Sequence, residues 1–348
     1  MHTVARQVGA YHFNCVTPNM ARRKIWVCRT IAYERHLLVM LINGTLTDVC
    51  QKEGALLPDA LLGVRERWVE TAIDWAHVPA CTVQGIDEIA LKQGHRAYVV
   101  VITAQDSDGT IHLLALLPDR SNATVRAWLA QIPAPLRRQI RTVCTDMREA
   151  YVTAAEAVLP HAAIVIDRFH VAQHSRDDVD TFRKQELTRL RKELPQPAVE
   201  RLKRTLWPFR KRATNLEPEA QDRRDQLLAQ SPDLEAAYDL CEELTNIFAT
   251  TRAKAAGIRR IRAWRQKVVA SGLTCFAPFL KLLDTWLDRI ANSFRHHQSS
   301  GFVEGLNNKL KVLKRRCYGI YNLTHLFQRI TLDLEGYRRF RPAPTHYM

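Results

Sequence analysis

The sequence of 348 residues contains no long hydrophobic run. Its longest apolar stretches, LLVMLI at 37–42 and AYVVVITA at 97–104, are far too short to cross a bilayer. The first residues, MHTVARQVGAYHFNCV, hold no hydrophobic signal core. We therefore expect a cytoplasmic protein that does not engage a membrane. A chain of this length forms about two or three domains.

Closely spaced cysteines are also missing. The eight cysteines lie at positions 15, 28, 50, 81, 144, 241, 275 and 317, and no two form a C-x-x-C pair. Structural zinc sites usually take ligands from such pairs, so a zinc ribbon or finger is not expected. Cys144 and Cys275 stand in apolar segments, which predicts buried, reduced thiols.

Acidic residues are scarcer than basic ones. The chain has 36 Asp and Glu against 51 Lys and Arg, a net charge of +15, which favours a polyanionic partner, usually nucleic acid. An anionic membrane is the weaker alternative, because no segment joins a basic face to a strongly apolar one. Residues 183–212 hold eleven bases and three acids, and residues 252–267 hold seven bases and no acid. Trp207 and Trp264 lie within these runs, which favours phosphate contact over a merely solvated surface.

Periodicity divides the chain. Residues 31–79 carry apolar residues at spacings of three and four, which predicts helices on both sides of Gly54. This pattern fits either a DNA-binding helix-turn-helix or an ordinary helical hairpin. Strand patterns then occupy 82–91, 96–104, 110–119, 141–147 and 162–171, with helices before and after the fourth strand. From about 173 to 298 strand signals vanish, and prolines divide a basic helical region.

The predicted fold is an α/β core with a mixed sheet, a hairpin edge and parallel strands in the middle. A large all-helical insertion interrupts this core, and a helical, helix-turn-helix-like segment precedes it. The predicted boundaries are 1–80 for the N-terminal helical DNA-binding segment, 81–172 for the first part of the core, 173–298 for the helical insertion, 299–340 for a helix that completes the core with a C-terminal helix, and 341–348 for a tail.

Three acidic residues in this arrangement are candidates for a functional site. Asp87 lies inside the first strand and Asp146 at the end of the fourth, where open α/β sheets usually place their sites. An acid inside an apolar strand is costly unless it is paired or binds a metal ion, so two of them suggest a hard-cation site. Glu304 begins a helix whose later residues are basic. It can project toward the two aspartates, or it can simply cap the helix start.

Four segments together resemble the ISL3 family of bacterial DDE transposases: GIDEIALKQGH, VCTDMREAY, VIDRFHVAQ and GFVEGLNNKLKVLKRRCYG. The resemblance runs from about residue 31 to residue 340, and the last segment is long and specific. It implies an RNase H-like core with a catalytic, metal-binding triad of Asp87, Asp146 and Glu304, at spacings of 59 and 158 residues (146 − 87 and 304 − 146).

The resemblance also implies the chemistry. The expected cofactor is Mg²⁺ or Mn²⁺, with two ions, and the expected partner is double-stranded DNA, both the terminal inverted repeats of an insertion sequence and the target. Water would cleave the phosphodiester at the element end, and the freed 3′-hydroxyl would attack target DNA. A homodimer in the synaptic complex and a nucleoid-associated location follow. A metal-dependent nuclease or resolvase without joining activity, and a catalytically inactive DNA-binding regulator, remain alternatives.

Further residues receive supporting roles. Related transposases carry an Asp-x-x-His pattern, here Asp167 and His170; His170 either orients a phosphate or a metal-bound water, or is a core histidine bonded to Asp167. Asn308 either contacts phosphate or packs. Glu88 should face the other side of its strand and have a structural role. DNA contacts are expected from five bases: Lys309, Lys311, Lys314, Arg315 and Arg316. A covalent Tyr or Ser recombinase is disfavoured, because no activating base accompanies Tyr151, Tyr318 or Ser300.

The sequence departs from the family in one respect. Family members usually begin with a cysteine-rich zinc-binding segment before the helix-turn-helix, and residues 1–30 show no such pattern. We expect a short form of the family or a truncated copy, with recognition of the terminal repeats affected more than the chemistry.

Overall fold

The computed structural model describes residues 29–341 except 55, 91–97, 203–208, 210–214, 296–298 and 317–321. The side chains of residues 201, 299–304, 307 and 314 also lie outside the description. By their internal contacts the residues form two units, 1–72 with 316–348 and 73–315.

The larger unit is built on a five-stranded mixed sheet. Its strands are β1 (Cys81–Ala90), β2 (Tyr98–Asp106), β3 (Ile111–Leu117), β4 (Thr142–Thr145) and β5 (Ala163–Ile166), in the order β3-β2-β1-β4-β5. β1, β2 and β3 form an antiparallel meander, while β4 and β5 run parallel to β1. The predicted mixed sheet with a hairpin edge is therefore confirmed.

One face of this sheet carries the main hydrophobic core. Strand side chains alternate between faces, so Ile86, Val143 and Ile164 point to the same side. They join one buried cluster with α4 (Asn122–Ala130) and α6 (Glu149–Val158), which pack against each other. The sequence offers Ser121 or Asn122 as the cap of α4, and Ser121 takes this role by accepting from the Thr124 backbone N–H. A short helix, α5 (Ala134–Arg137), follows α4.

The last strand is shorter than its sequence pattern predicts. β5 ends at Ile166, and Asp167 caps the next helix by accepting from the Phe169 backbone N–H at 2.9 Å. This cap starts a helix of 26 residues, α7 (Arg168–Glu193), so residues 168–171 are helical and their assignment to the strand was wrong.

The region that follows is helical throughout its described part. The helices are α8 (Gln196–Arg201), α9 (Pro218–Leu228), α10 (Pro232–Thr250), α11 (Lys254–Ala270), α12 (Ala277–Asn292), after a short 3-10 turn at Thr274–Phe276, and α13 (Ser299–Arg316). α12 packs on β5, and Asn292 donates from Nδ2 to the Ile164 carbonyl at 2.7 Å. The hydrophobic core is therefore continuous from the sheet into these helices.

The smaller unit contains α1 (Ile31–Leu41), α2 (Leu46–Glu53), α3 (Pro58–Trp68) and α14 (Leu323–Phe340), packed around their own hydrophobic cluster. Residues 31–53 form two helices, because Asn43 has a φ of 57° and Thr45 starts α2 with a capping box. Gly54, at φ 69°, ends α2. In the described part of the chain, no helix is long and apolar enough to span a membrane.

Cysteines within the described residues are free thiols. Cys144 is fully buried in β4, and burial raises its pKa, so the thiol stays neutral and acts as a small apolar side chain. Cys275 is half-buried. The prediction of reduced thiols holds for both, and that of full burial holds for Cys144.

Candidate active site

Polar residues gather at the edge of the sheet that is formed by the carboxyl ends of its strands. β1, β3, β4 and β5 point in the same direction, so their carboxyl ends share this edge. Its polar residues are Asp87 and Glu88 in β1, Arg120 after β3, Asp146 and Arg148 after β4, and Asp167 and His170 after β5. Side chains from four strands meet here, as expected for a site in an α/β sheet.

Asp87 and Asp146 occupy neighbouring positions on one face of the sheet. Ile86 pairs with Thr145 across the parallel β1–β4 ladder, and each acid is the next residue on its strand. Asp87 is only 5% exposed, and the Oδ1 atom of Asp146 is buried without a hydrogen-bond partner among the described residues. Burial, and then the charges of Asp87 and Glu88, raise the pKa of Asp146 to about 6. The structure thus brings two of the three predicted acids together.

His170 lies against Asp87 rather than Asp167. Its Nε2 is 3.8 Å from Asp87 Oδ2, an ion-pair distance that is too long for a hydrogen bond. The Asp87 carboxylate raises the pKa of His170 to about 9, against the opposing effect of burial. Asp167 is buried and caps α7. His170 is therefore turned toward the aspartates, and it is not the core histidine that bonds to Asp167.

Glu304 lies on α13, but its side chain is outside the described residues. Leu306, Leu310 and Leu313 of the same helix share one face, as their spacing predicts, and are buried. Its predicted contact with the sheet, and the meeting of Glu304 with the two aspartates, stay predictions.

The basic residues of α13 differ in their surroundings. Asn308, Lys309, Lys311 and Arg315 are exposed, and the Lys314 side chain is not described. Arg316 donates from Nη1 to Asp333 Oδ2 at 3.1 Å, so its guanidinium is engaged within the smaller unit. DNA contact by these residues stays a prediction, and the internal ion pair makes Arg316 the weakest candidate among them.

Sequence reasoning missed the arrangement around Glu88. Its carboxylate accepts from Arg148 Nη2 at 3.1 Å, from the Tyr151 hydroxyl at 3.1 Å and from Arg120 Nη1 at 3.4 Å. Glu88 thus faces α6, away from Asp87, as strand alternation predicts. Burial raises the pKa of Tyr151, and its hydroxyl is committed to Glu88, which agrees with rejecting a tyrosine nucleophile. The signal available beforehand was Arg148, two residues after Asp146.

The exposed surface of α3, in the predicted helix-turn-helix, carries charges of both signs. Asp59 and Glu66 are exposed and Arg65 is buried, while Arg67, 61% exposed, donates to Glu34 at 2.7 Å. DNA phosphates attract bases and repel acids, so α3 by itself is a weak match to a DNA backbone. Helices lie on both sides of Gly54 as predicted, but the segment before it forms two helices rather than one, and the DNA-binding role stays a prediction.

Three of the seven bases at 252–267 pair with acids of neighbouring helices. Lys254 pairs with Asp288, Arg265 with Asp284 and Lys267 with Glu243. Trp264, expected to help contact phosphate, is fully buried and donates from Nε1 to the Leu240 carbonyl at 2.7 Å. That expectation was wrong, because Trp264 lies on the inward stripe of α11 with Gly257, Ile261 and Val268. Trp207 lies outside the described residues.

Asp87 and Asp146 supply some, but not all, of the oxygen ligands that a hard cation requires. Among the side chains that the structure describes, no three His, Cys, Asp or Glu residues form a group that could hold a metal ion. Asp87 and Asp146 supply two carboxylates, and the buried, unpartnered Oδ1 of Asp146 is an oxygen in need of a positive partner. This pair fits Mg²⁺ or Mn²⁺ but requires further ligands.

Comparison with known proteins places the sequence of this chain in a family. The profile of the ISL3-type DDE transposase family, described as "Transposase", matches residues 85–330. The chain is 32% identical to the "Transposase for insertion sequence element IS1001" of Bordetella parapertussis, over 76% of this chain and 63% of that protein. It is 25% identical to the "Transposase for insertion sequence element IS1557" of Mycobacterium tuberculosis, over 74% of this chain and 61% of that protein.

The chain spans about three-fifths of the length of these relatives. The matched range begins two residues before Asp87 and ends beyond α13, so it includes Asp146 and Glu304. On the extent of this match, the chain belongs to the ISL3 family of DDE transposases.

Proposed function

We propose that this protein is a DNA transposase. It cleaves a phosphodiester at the ends of an insertion sequence and joins the freed 3′-hydroxyl to target DNA, with Asp87, Asp146 and Glu304 as the catalytic acids. The observation that carries the proposal is the position of Asp87 and Asp146, each one residue beyond the Ile86–Thr145 pair of two neighbouring parallel strands. The relatives of this chain are named as insertion-sequence transposases.

The order of the strands supports an RNase H-like core. A three-stranded antiparallel meander followed by two parallel strands on the side of β1 is the arrangement expected for that fold. Asp87 lies on its central strand, and Asp146 directly follows the strand beside it. The long helical segment between β5 and α13 explains the wide spacing between Asp146 and Glu304.

The acids imply divalent cations as cofactors. Asp87 and Asp146 would hold Mg²⁺ or Mn²⁺ together with Glu304, because oxygen ligands are those these ions prefer. Bound there, such ions supply activation of the attacking oxygen and stabilisation of the leaving oxygen. A buried pair of carboxylates without a cation is unfavourable, and the raised pKa of Asp146 expresses that cost.

Side chains around the acids have distinct tasks. His170 Nε2, held 3.8 Å from Asp87 Oδ2, keeps a positive charge beside that carboxylate and limits its freedom to rotate. The exposed bases Lys309, Lys311 and Arg315 of α13 neutralise DNA phosphates. Two copies of the chain would hold the two element ends, and this assembly stays a prediction.

The test is a joining assay. Purified protein is mixed with pre-cut DNA ends from the sequence that flanks the gene, a supercoiled target plasmid and Mg²⁺ or Mn²⁺. We expect joined product from the wild type, and none from D87N, D146N or E304Q, although each variant still binds DNA. Glu156→Gln is the control, because Glu156 pairs with Arg289 away from the acids.

Other outcomes identify the alternatives. Cleavage without joined product would indicate a nuclease or resolvase. DNA binding without any metal-dependent cleavage would indicate a regulator. Full strand transfer by D87N or D146N would refute the assignment of the acids.

A further inference from the structure

Two arginines converge on a single carboxylate at the sheet edge. Arg148 follows Asp146 by two residues and begins α6, while Arg120 lies in the connection from β3 to α4. Both donate to Glu88, at 3.1 Å and 3.4 Å. The group therefore has one positive charge in excess, and Arg148 is near enough to Asp146 for its charge to lower the pKa of that acid.

Each of the two guanidiniums has N–H groups that make no hydrogen bond within the described residues. A guanidinium has five N–H donors, and Arg148 uses Nη2 alone while Arg120 uses Nη1 alone. In the described part of the chain, no other oxygen accepts from either side chain. The side chains are 35% and 31% exposed, so solvent or a ligand reaches them.

Aromatic rings hold both guanidiniums in place. The Arg120 guanidinium carbon lies 4.0 Å from the centre of the Tyr98 ring, and that of Arg148 lies 5.6 Å from the Tyr151 ring. Cation–π contact and the shared carboxylate restrict the rotamers of both side chains. A guanidinium oriented in advance loses less entropy when it binds an anion.

We propose that Arg120 and Arg148 form a binding subsite for a phosphate of the DNA strand that passes the catalytic acids. Glu88 orients the two guanidiniums and holds them in the absence of DNA. The chemistry is that of arginine with phosphate, through paired N–H donors and full charge. The proposal rests on the proposed function, since it assumes that DNA occupies the edge beside Asp146.

A comparable arginine elsewhere in the same unit provides the control. Arg289 is also 35% exposed, also pairs with a carboxylate (Glu156) and also lies near an aromatic ring, 5.5 Å from Trp286. It differs because one arginine satisfies one carboxylate through two donors, at 3.0 and 2.7 Å, which leaves no excess charge. A purely structural role predicts the same behaviour for both arginines.

The experiment measures DNA binding without divalent ions. A short fluorescein-labelled DNA duplex is titrated with full-length wild type, R148Q, R120Q or R289Q in EDTA, over a series of salt concentrations, with anisotropy as the readout. Each lost phosphate contact reduces the slope of log affinity against log salt by about 0.9. We expect R148Q and R120Q to show this reduction and a several-fold loss of affinity, and R289Q to match the wild type.

Replacing the carboxylates should change DNA affinity in the opposite direction to replacing the arginines. E88Q should tighten DNA binding several-fold, because Gln keeps a carbonyl oxygen that orients both arginines but lacks the competing negative charge. E156Q, which removes the same charge elsewhere, should not. If R148Q fails to fold, as judged by circular dichroism, R120Q and the comparison of E88Q with E156Q decide the question.

Two results would overturn the subsite. One is equal behaviour of R148Q, R120Q and R289Q, and the other is weaker or unchanged DNA binding by E88Q. Neither result affects the proposed transposase activity, which depends on D87N and D146N in the joining assay. If the wild type shows no salt-dependent DNA binding at all, the proposed function and the subsite fail together.

Discussion

Asp87 and Glu88 are neighbours in β1, yet the two faces of the sheet treat them in opposite ways. Glu88 points toward α6 and accepts from two arginines and a tyrosine. Asp87 points to the other face, beside Asp146, with His170 at 3.8 Å. Glu88 therefore has two cationic side chains for one negative charge, whereas Asp87 lies beside a second carboxylate.

The difference separates structural from chemical use of a buried acid. Glu88 is compensated by protein donors, because two arginines and a tyrosine donate to its carboxylate. The Asp87–Asp146 pair is compensated only in part, and burial together with mutual repulsion raises the pKa of Asp146 to about 6. Incomplete compensation of this kind is what a cation-binding site requires.

Catalysis should show the largest contrast between the two faces. We expect D87N to lower metal-dependent DNA cleavage by about a thousandfold or more, since several kcal/mol of charge stabilisation are lost. E88Q should lower it by less than about tenfold, because the catalytic acids remain. Nicking of a supercoiled plasmid that carries the flanking DNA measures both, and equal losses would erase the distinction.

Metal binding should separate the faces without reference to activity. Mg²⁺ or Mn²⁺ at about a hundred times its dissociation constant should stabilise the wild type by about 2.7 kcal/mol. Thermal unfolding, followed with and without the ion, should show this shift for the wild type and for E88Q. D87N and D146N should show little of it, and a full shift in either variant would exclude its aspartate as a ligand.

Without metal, replacing Glu88 should destabilise the protein more than replacing Asp146. E88A leaves Arg148 and Tyr151 without their acceptor, and we expect a loss of about 1–3 kcal/mol in the free energy of unfolding, reduced by the partial exposure of the arginines. D146N in EDTA should be as stable as the wild type or more so. Urea denaturation of both variants at neutral pH tests this, and a destabilised D146N beside a stable E88A would invert the comparison.

The pH dependence should give the smallest and most specific effect. The pKa of Asp146 is about 6 in the folded chain, above its ordinary value of 3.8, so the folded state holds its proton more tightly than the unfolded state. Stability in EDTA should therefore fall as pH rises from about 4 to 6 and then level off. D146N should lack this component, which is at most about 3 kcal/mol because the pKa of Asp146 rises from 3.8 to about 6.

The measurement is the difference between wild type and D146N across that pH range. Asp178, whose pKa burial also raises to about 6, contributes a similar slope to both proteins and cancels in the difference. Identical pH profiles for the two proteins would mean that Asp146 ionises freely.

Much of the fold followed from local patterns. Alternating apolar residues identified all five strands, and capping residues such as Ser121 located helix starts. The patterns failed at 168–171, where the apolar residues of a first helical turn resemble the end of a strand. They also failed at Trp264, because a basic helix can turn its aromatic residue inward while its charges pair with neighbouring helices.

The sequence by itself determined the family, the alternation of strands and helices, and the acids Asp87 and Asp146, because these depend on local periodicity and on motifs along the chain. Tertiary structure alone decided which carboxylate is compensated. Arg120 and Arg148 are 28 residues apart (148 − 120) and reach Glu88 only because three strands of one sheet end at the same edge. Compensation of a buried charge depends on distance in space and on solvent exposure, and neither quantity is encoded at any single position of the chain.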